Sequence, residues 1–98
     1  MPKIIVHVFY DCTREVGDAF VKEMKTSGVY QSVLDEDGCE RYEYMLPVEG
    51  NGFCLLEQWY DETAFAKHLA GEPMAALKKI KDGYPMQTTI EKFRAEAL

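Results

Sequence analysis

The chain has 98 residues, of which 47% are hydrophobic, enough for one domain with a thin core. Its 11 basic residues stand against 17 acidic ones, and a net charge of -6 without a basic stripe argues against nucleic-acid binding. No segment approaches the roughly 20 consecutive apolar residues of a membrane-spanning helix, so we expect no membrane insertion.

The three cysteines indicate a reducing compartment. Cys12, Cys39 and Cys54 are odd in number and lack the paired spacing of metal ligands. The apolar run at residues 4–10 is short and contains the polar His7, which does not fit a secretory signal. We therefore expect reduced thiols, no metal site and a cytoplasmic protein.

The first third of the chain predicts a strand followed by an interrupted helix. Residues 4–10 are β-branched and aromatic with apolar side chains on both faces, which predicts a strand covered on both sides. Residues 16–24 carry apolar side chains at helical spacing, and Asp11 or Thr13 can cap this helix. A Ser-Gly pair at 27–28 interrupts the helix, after which we expect a further turn or two.

A hairpin and a second helix follow. Residues 39–46 and 53–60 predict two strands whose two faces both carry large apolar groups, and an Asn-Gly pair at 51–52 indicates the hairpin turn between them. Asp61 is placed to cap the next helix, which a Gly and a Pro at 71–73 divide into two segments.

The remaining residues complete the sheet. Residues 86–93 predict the last strand, and residues 94–98 are expected to form a tail. The order β-α-β-β-α-β is typical of a ferredoxin-like α+β subunit with a four-stranded antiparallel sheet. Two helices cover only one face of such a sheet, and the strand patterns leave the other face apolar. We therefore expect a homodimer formed through that sheet face.

Three motifs resemble the antibiotic biosynthesis monooxygenase (ABM) family. They are the Asp-Gly-Cys turn at 37–39, the Leu-Leu-Glu-Gln-Trp strand at 55–59, and the helix that carries Asp61 and His68-Leu69. The resemblance implies a dimeric α+β barrel, in which two ferredoxin-like sheets pair face to face. It also implies a pocket between the helices and the sheet of each subunit.

The resemblance covers about residues 3–93 of a single domain that spans 1–98. Characterised members of the family oxygenate aromatic polyketides or quinols without metal or flavin. Others degrade haem, and others isomerise or break down a small signalling sugar derivative. Family membership alone therefore does not identify the reaction.

The chain departs from the family pattern in three places. Pro73 stands where many members carry a second His, and no His occurs at residues 76–79, where haem degraders place their iron ligand. Residues 13–15 replace the Pro-Gly that usually precedes the first helix. Haem degradation is therefore disfavoured.

Three residues are candidate acid–base groups. His68 lies on the inner stripe of the second helix, and an imidazole with an unperturbed pKa of about 6.5 suits proton transfer. Glu57 points into a mainly apolar space, where desolvation raises the pKa of a carboxyl group. The structural alternative is that Glu57 pairs with a Lys, an Arg or His68 and holds the helix on the sheet. His7 is a further candidate base, whose face depends on the strand register.

Apolar residues are expected to line a substrate pocket. Trp59 shares strand parity with Leu55 and would stack on an aromatic substrate, or else pack in the core. Four helical residues are expected to roof the pocket, with core packing as the alternative: Phe20, Met24, Met74 and Leu77.

Two further groups are assigned to surfaces. Tyr42 and Tyr44 share a strand face and are expected at the dimer interface. Lys78, Lys79 and Lys81 form the densest basic run, which is expected to be a solvated helix face near a C-terminus.

The residues and the resemblance together predict a cofactor-independent monooxygenase acting on a small aromatic or quinol substrate. His68 or His7 would remove a phenolic proton, after which the anion reacts with oxygen directly. Two alternatives stay open. One is a non-oxidative isomerase or lyase for a small carbonyl compound, with Glu57 as partner of the His. The other is a dimeric small-molecule-binding protein with no chemistry.

Overall fold

Four strands form one antiparallel sheet, and the helices lie against one of its faces. The computed structural model describes residues 2–98; residue 1, where the predicted domain begins, lies outside the described residues. In chain order the elements are β1 (Lys3–Asp11), α1 (Arg14–Thr26), α2 (Val29–Leu34), β2 (Cys39–Met45), β3 (Phe53–Trp59), α3 (Glu62–Ala70), α4 (Glu72–Lys81) and β4 (Gln87–Ala95). The predicted ferredoxin-like fold class is confirmed.

The sheet has the strand order β2-β3-β1-β4, so the most apolar strand is central. Its alternate residues Ile4, Val6, Val8 and Tyr10 are buried beneath the helices and define the inner face. Residues that are directly paired on neighbouring strands share a face of the sheet. The register therefore decides which residues of β3 and β4 lie on the inner face. Val6, for example, is paired with Glu57 on one side and with Lys92 on the other.

Local sequence signals set the ends of the helices. The side chain of Thr13 accepts a hydrogen bond from the backbone N–H of Val16 at 3.2 Å, so Thr13 caps α1. Gly28 adopts a φ of 86°, a left-handed conformation that separates α1 from α2. Asp61 caps α3 through a 2.8 Å bond from the N–H of Ala64, and Gly71 divides α3 from α4. None of the helices in residues 2–98 is both long and apolar enough to cross a membrane.

No helix of the described residues covers the outer face of the sheet, which remains largely apolar. Phe9 and Phe93 are 43% and 47% exposed. Ile5, which is paired with Phe93, and Leu56 lie on the same face. His7 is also on this face, with its Nδ1 3.6 Å from the carboxylate of Glu91. The predicted uncovered apolar face is therefore present.

Two expectations were wrong in detail. β4 runs to Ala95, two residues into the predicted tail, because Arg94 and Ala95 still pair with β1. Tyr42 and Tyr44 lie on the inner face rather than the outer one. The register causes this, since Tyr42 is paired with Glu57 and thus shares its face.

Candidate active site

A cavity of about 190 Å³ lies between the inner face of the sheet and the helices α3 and α4. A cavity of about 150 Å³ can hold benzene, so this space suits one substituted ring. Its lining is mainly apolar, as in most small-molecule sites. The side chains that line it are Val6, Val8, Tyr10, Tyr42, Leu55, Glu57, Phe65, His68, Leu69, Met74, Leu77, Lys78, Lys81, Thr88, Ile90 and Lys92.

His68 is the most firmly held polar group of the cavity wall. The cap at Asp61 starts α3 in a phase that turns Phe65 and His68 toward the sheet, one above the other. The imidazole is 2% exposed, and its ring stacks on Trp59 with centroids 4.4 Å apart and an interplanar angle of 25°. Trp59 therefore fixes the plane of the imidazole.

Glu36 fixes the rotation of the same ring. Its carboxylate lies 3.0 Å from Nδ1 of His68, and the other ring nitrogen, Nε2, is 3.8 Å from Glu57. An ionised carboxylate only accepts hydrogen bonds, so Nδ1 donates and Nε2 keeps its lone pair in the neutral ring. His68 is therefore oriented as a proton acceptor through Nε2, in the way an acid–His pair orients a general base.

A close approach between a turn and α3 brings Glu36 to His68. Gly38 adopts a φ of 82°, and a Cβ there would lie 2.5 Å from the Cβ of Ala64. Only glycine fits this position, because both its conformation and its contact with α3 exclude a side chain. The turn thereby holds Glu36 within hydrogen-bonding distance of the helix.

Glu57 is the second acid–base group of the cavity. It is 6% exposed, and its Oε1 accepts a 3.0 Å hydrogen bond from the indole N–H of Trp59. Burial raises the pKa of Glu57 above its ordinary value, while the bond from Trp59 and the nearby His68 act in the opposite direction. A carboxyl group with a raised pKa exchanges protons more readily near neutral pH.

Tyr42 contributes an unpaired hydroxyl. The residue lines the cavity and is 1% exposed, yet its hydroxyl has no hydrogen-bond partner anywhere in residues 2–98. Burial raises the pKa of Tyr42 well above its ordinary value, so the phenol remains protonated. The buried hydroxyl of Tyr44 is likewise unpaired and interacts with that of Tyr42. Because buried polar groups are nearly always paired, the hydroxyl of Tyr42 can pair either with that of Tyr44 or with a ligand oxygen.

The structure gathers some of the predicted site residues and separates others. His68, Glu57, Leu55, Met74 and Leu77 all line the cavity. Trp59 does not line the cavity, but it contacts both acid–base groups that do, Glu57 and His68.

Three predicted site residues lie elsewhere. Phe20 and Met24 are fully buried in the core, because α1 covers a different part of the sheet. There Phe20 packs against Tyr10 and Phe53, with ring centroids 5.5 and 6.1 Å away. His7 is on the outer face, separated from the cavity by the sheet itself.

Other residues of the site, one beside His68 and three in the cavity wall, are not evident from the sequence. Glu36 comes to His68 from 32 positions away in the chain, which no local pattern reveals. Lys78 and Lys81 were assigned to a solvated surface, although their spacing from Met74 places them on the same helix stripe. That spacing was the available signal. The position of Lys92 in the cavity wall depends on the register of β4 against β1, which the sequence does not give.

The described residues also bear on metal binding. Within residues 2–98, no group of three or more His, Cys, Asp or Glu side chains is placed to hold a metal ion.

A ferredoxin-like α+β subunit with an acid–base cavity beneath its helices defines the class of this protein. The sequence matches the family model described as antibiotic biosynthesis monooxygenase over residues 3–79. The match spans most of the chain, which therefore belongs to the ABM family. No curated protein matches the sequence.

Solved structures share the fold at low sequence identity. A candidate antibiotic biosynthesis monooxygenase from Deinococcus radiodurans has a TM-score of 0.82 and 18% identity, covering 97% of this chain and 94% of that one. A conserved protein from Methanosarcina mazei Go1 has a TM-score of 0.82 and 20% identity, with 98% and 95% covered. SnoaB, a cofactor-independent oxygenase from Streptomyces nogalater, has a TM-score of 0.73 and 12% identity, with 100% and 97% covered.

Proposed function

We propose that this protein is a cofactor-independent monooxygenase that acts on a small aromatic or quinol substrate. The observation that carries the proposal is the orientation of His68, whose Nδ1 faces Glu36 at 3.0 Å and whose Nε2 is left to accept a proton. Membership of the ABM family and a cavity sized for one substituted ring support it. The description of SnoaB as a cofactor-independent oxygenase supports it further.

The first step is removal of a proton. Nε2 of His68 takes the phenolic proton, and the positive charge that forms on the imidazole is stabilised by Glu36 and Glu57 on either side. The protonated hydroxyl of Tyr42 donates a hydrogen bond to a substrate oxygen. Stacking on Trp59 keeps the imidazole in place as its charge changes.

Oxygen then reacts with the electron-rich anion. An electron passes from the substrate carbon to O₂, and the two radicals combine into a carbon-bound peroxide. The attacked carbon, a ring C–H of a quinol or the CH₂ of an anthrone, then carries one hydrogen and the peroxide. Loss of water converts this C(H)–OOH group into C=O, so one oxygen atom enters the product and the other leaves as water. The substrate supplies all four electrons, and the mainly apolar lining limits the entry of water.

We further propose a homodimer formed through the outer face of the sheet, in the cytoplasm. The half-exposed Phe9 and Phe93 support the first point, because large uncovered apolar faces mark interaction sites. The free thiols of Cys12, Cys39 and Cys54 support the second. Light scattering at micromolar concentration tests the dimer, and a monomer at that concentration would contradict it.

The activity is tested with the purified protein, without added metal or flavin, on a panel of quinols and anthrones. Oxygen consumption is followed with an electrode and compared with the uncatalysed rate of each compound. We expect catalysed uptake with formation of the hydroxyquinone from a quinol, or of the anthraquinone from an anthrone, with water rather than hydrogen peroxide as the second product. Uptake no faster than the uncatalysed reaction across the panel would overturn the proposal.

A second candidate is an isomerase or lyase for a small carbonyl compound. The pair formed by His68 and Glu57, 3.8 Å apart and both buried, favours it because such a pair can move a proton between two substrate atoms. Turnover that persists without oxygen would identify this reaction. Full biological function in a His68→Ala variant would instead indicate a binding protein without chemistry.

A further inference from the structure

Three lysines converge on one side of the cavity. Lys78 and Lys81 come from α4, and Lys92 comes from β4, the edge strand that faces the same space. All three line the cavity together with Thr88. The acid–base group Glu57 lies across β1 from Lys92, since Val6 is paired with both.

None of these lysines forms an ion pair with a carboxylate in the described part of the chain, 2–98. Lys81 instead donates a 3.0 Å hydrogen bond to the hydroxyl of Thr88, and the ammonium of Lys92 lies 5.7 Å from the centre of the Phe65 ring. Lys3, by contrast, pairs with Glu40 at 2.7 Å on the surface. The protein carries 17 acidic residues, so carboxylates are not scarce.

Helix electrostatics account for only part of this arrangement. Cations are favoured in the last turn of a helix, which suits Lys78 and Lys81 in α4. Lys92 is on a strand and gains nothing from that effect. Glu57 is a charge partner of Lys92, but it lies across Val6 two strands away and forms no direct ion pair with it.

We propose that the substrate carries an anionic group, a carboxylate or a phosphate, which Lys78, Lys81 and Lys92 bind while its ring fills the apolar part of the cavity. This rests on the proposed function for the location of the site. The anion then orients the substrate, because the lysines hold one end and the opposite end is presented to His68. A neutral quinol of the same size lacks this orientation.

Binding without oxygen tests the charge separately from the chemistry. The probes are gentisate, which is hydroquinone bearing a carboxylate, its neutral methyl ester, and phenyl phosphate. Affinities are measured anaerobically by calorimetry. We expect gentisate to bind about tenfold more tightly than its ester, and this preference to shrink as ionic strength rises from about 0.01 M to about 0.15 M.

Matched lysine variants locate the effect. Lys78→Gln and Lys92→Gln, both at exposed positions, should each reduce the preference for gentisate while leaving affinity for the ester unchanged. Lys79→Gln removes the same charge from the same helix but lies outside the cavity, and should retain the full preference. Tighter binding of phenyl phosphate than of gentisate would identify phosphate as the anion, and the reverse would identify carboxylate.

The proposal is overturned if gentisate binds no more tightly than its ester and phenyl phosphate shows no detectable binding. An equal loss in Lys79→Gln overturns it as well, because the effect would then reflect overall charge. The two proposals fail separately. A charge preference without catalysed oxygen uptake removes the oxygenase assignment alone, whereas oxygen uptake on neutral quinols without a charge preference removes the anion assignment alone.

Discussion

The two histidines of this chain lie on opposite faces of one sheet, and their surroundings differ in almost every respect. His68 is 2% exposed, stacked on Trp59, and held through Nδ1 by Glu36 at 3.0 Å. The side chain of His7 is 34% exposed, and the nearest carboxylate, that of Glu91, is 3.6 Å from its Nδ1. One imidazole is fixed in plane and rotation, and the other is loosely placed.

The comparison shows what makes a histidine suitable as a base in this fold. Both have the same intrinsic chemistry, and both are next to a carboxylate. Only His68 faces a cavity that can hold a substrate, and only its ring nitrogens have distinct roles. Proton transfer requires a group within hydrogen-bonding distance of the substrate in a fixed orientation. Position and orientation, rather than residue type, therefore separate the two.

The largest expected effect comes from replacing His68 by glutamine, and the same replacement of His7 is the comparison. In the oxygen-uptake assay, His68→Gln should lower kcat by about 10² to 10⁴, the usual contribution of a positioned general base. His7→Gln should leave kcat within about twofold of the wild type, because the sheet separates it from the cavity. A thermal melt of each variant controls for loss of folding. A loss in His7→Gln as large as that in His68→Gln would reverse the comparison.

A smaller effect is expected from removing the group that orients His68. Glu36→Ala should lower kcat about tenfold to a hundredfold with little change in KM, since the base remains but its tautomer is no longer fixed. The ¹⁵N shifts of the imidazole report the tautomer directly and should show mixing in the variant. The neighbouring Asp35→Ala is the matched control, because within residues 2–98 the only side-chain hydrogen bond that its carboxylate accepts comes from Gln31, at 2.9 Å on the surface. An unchanged tautomer in Glu36→Ala would contradict the positioning role.

The sequence predicted the fold well because its signals are local. The period-two strands, the caps at Thr13 and Asp61 and the breaks at Gly28 and Gly71 each depend on a few adjacent residues. These signals give the order of the elements, and the order largely defines the ferredoxin-like topology.

Site residues could be predicted only where sequence signals from adjacent residues determine their position. Leu55 and Glu57 follow from strand parity, and His68 follows from the helix stripe. Tyr42 was placed on the wrong face because the hairpin register decides its side, and β2 has an irregularity between Cys39 and Arg41. His7 could not be placed, because a strand with two apolar faces gives no indication of which one is inside.

The smallest expected effect concerns Glu57 and the pH dependence of stability. Burial raises the pKa of this carboxyl group in the folded protein above its unfolded value, so the folded state holds the proton more tightly. Between the two values the folded state binds more protons than the unfolded state, and the free energy of unfolding falls as pH rises. The loss begins near the ordinary glutamate pKa of about 4.3 and ends above the folded pKa.

Glu57→Gln should remove this dependence, because the amide cannot ionise while its oxygen still accepts the hydrogen bond from Trp59. Urea unfolding at pH 4 and at pH 7 should show the variant gaining stability relative to the wild type as pH rises. Glu91→Gln, beside His7 on the outer face, is the matched control, since it makes the same substitution at a side chain that is 52% exposed. A stability difference that stays constant with pH would mean that the charge of Glu57 costs nothing in the cavity. The carboxylates on the two faces of the sheet would then have the same effect on the pH dependence of the free energy of unfolding.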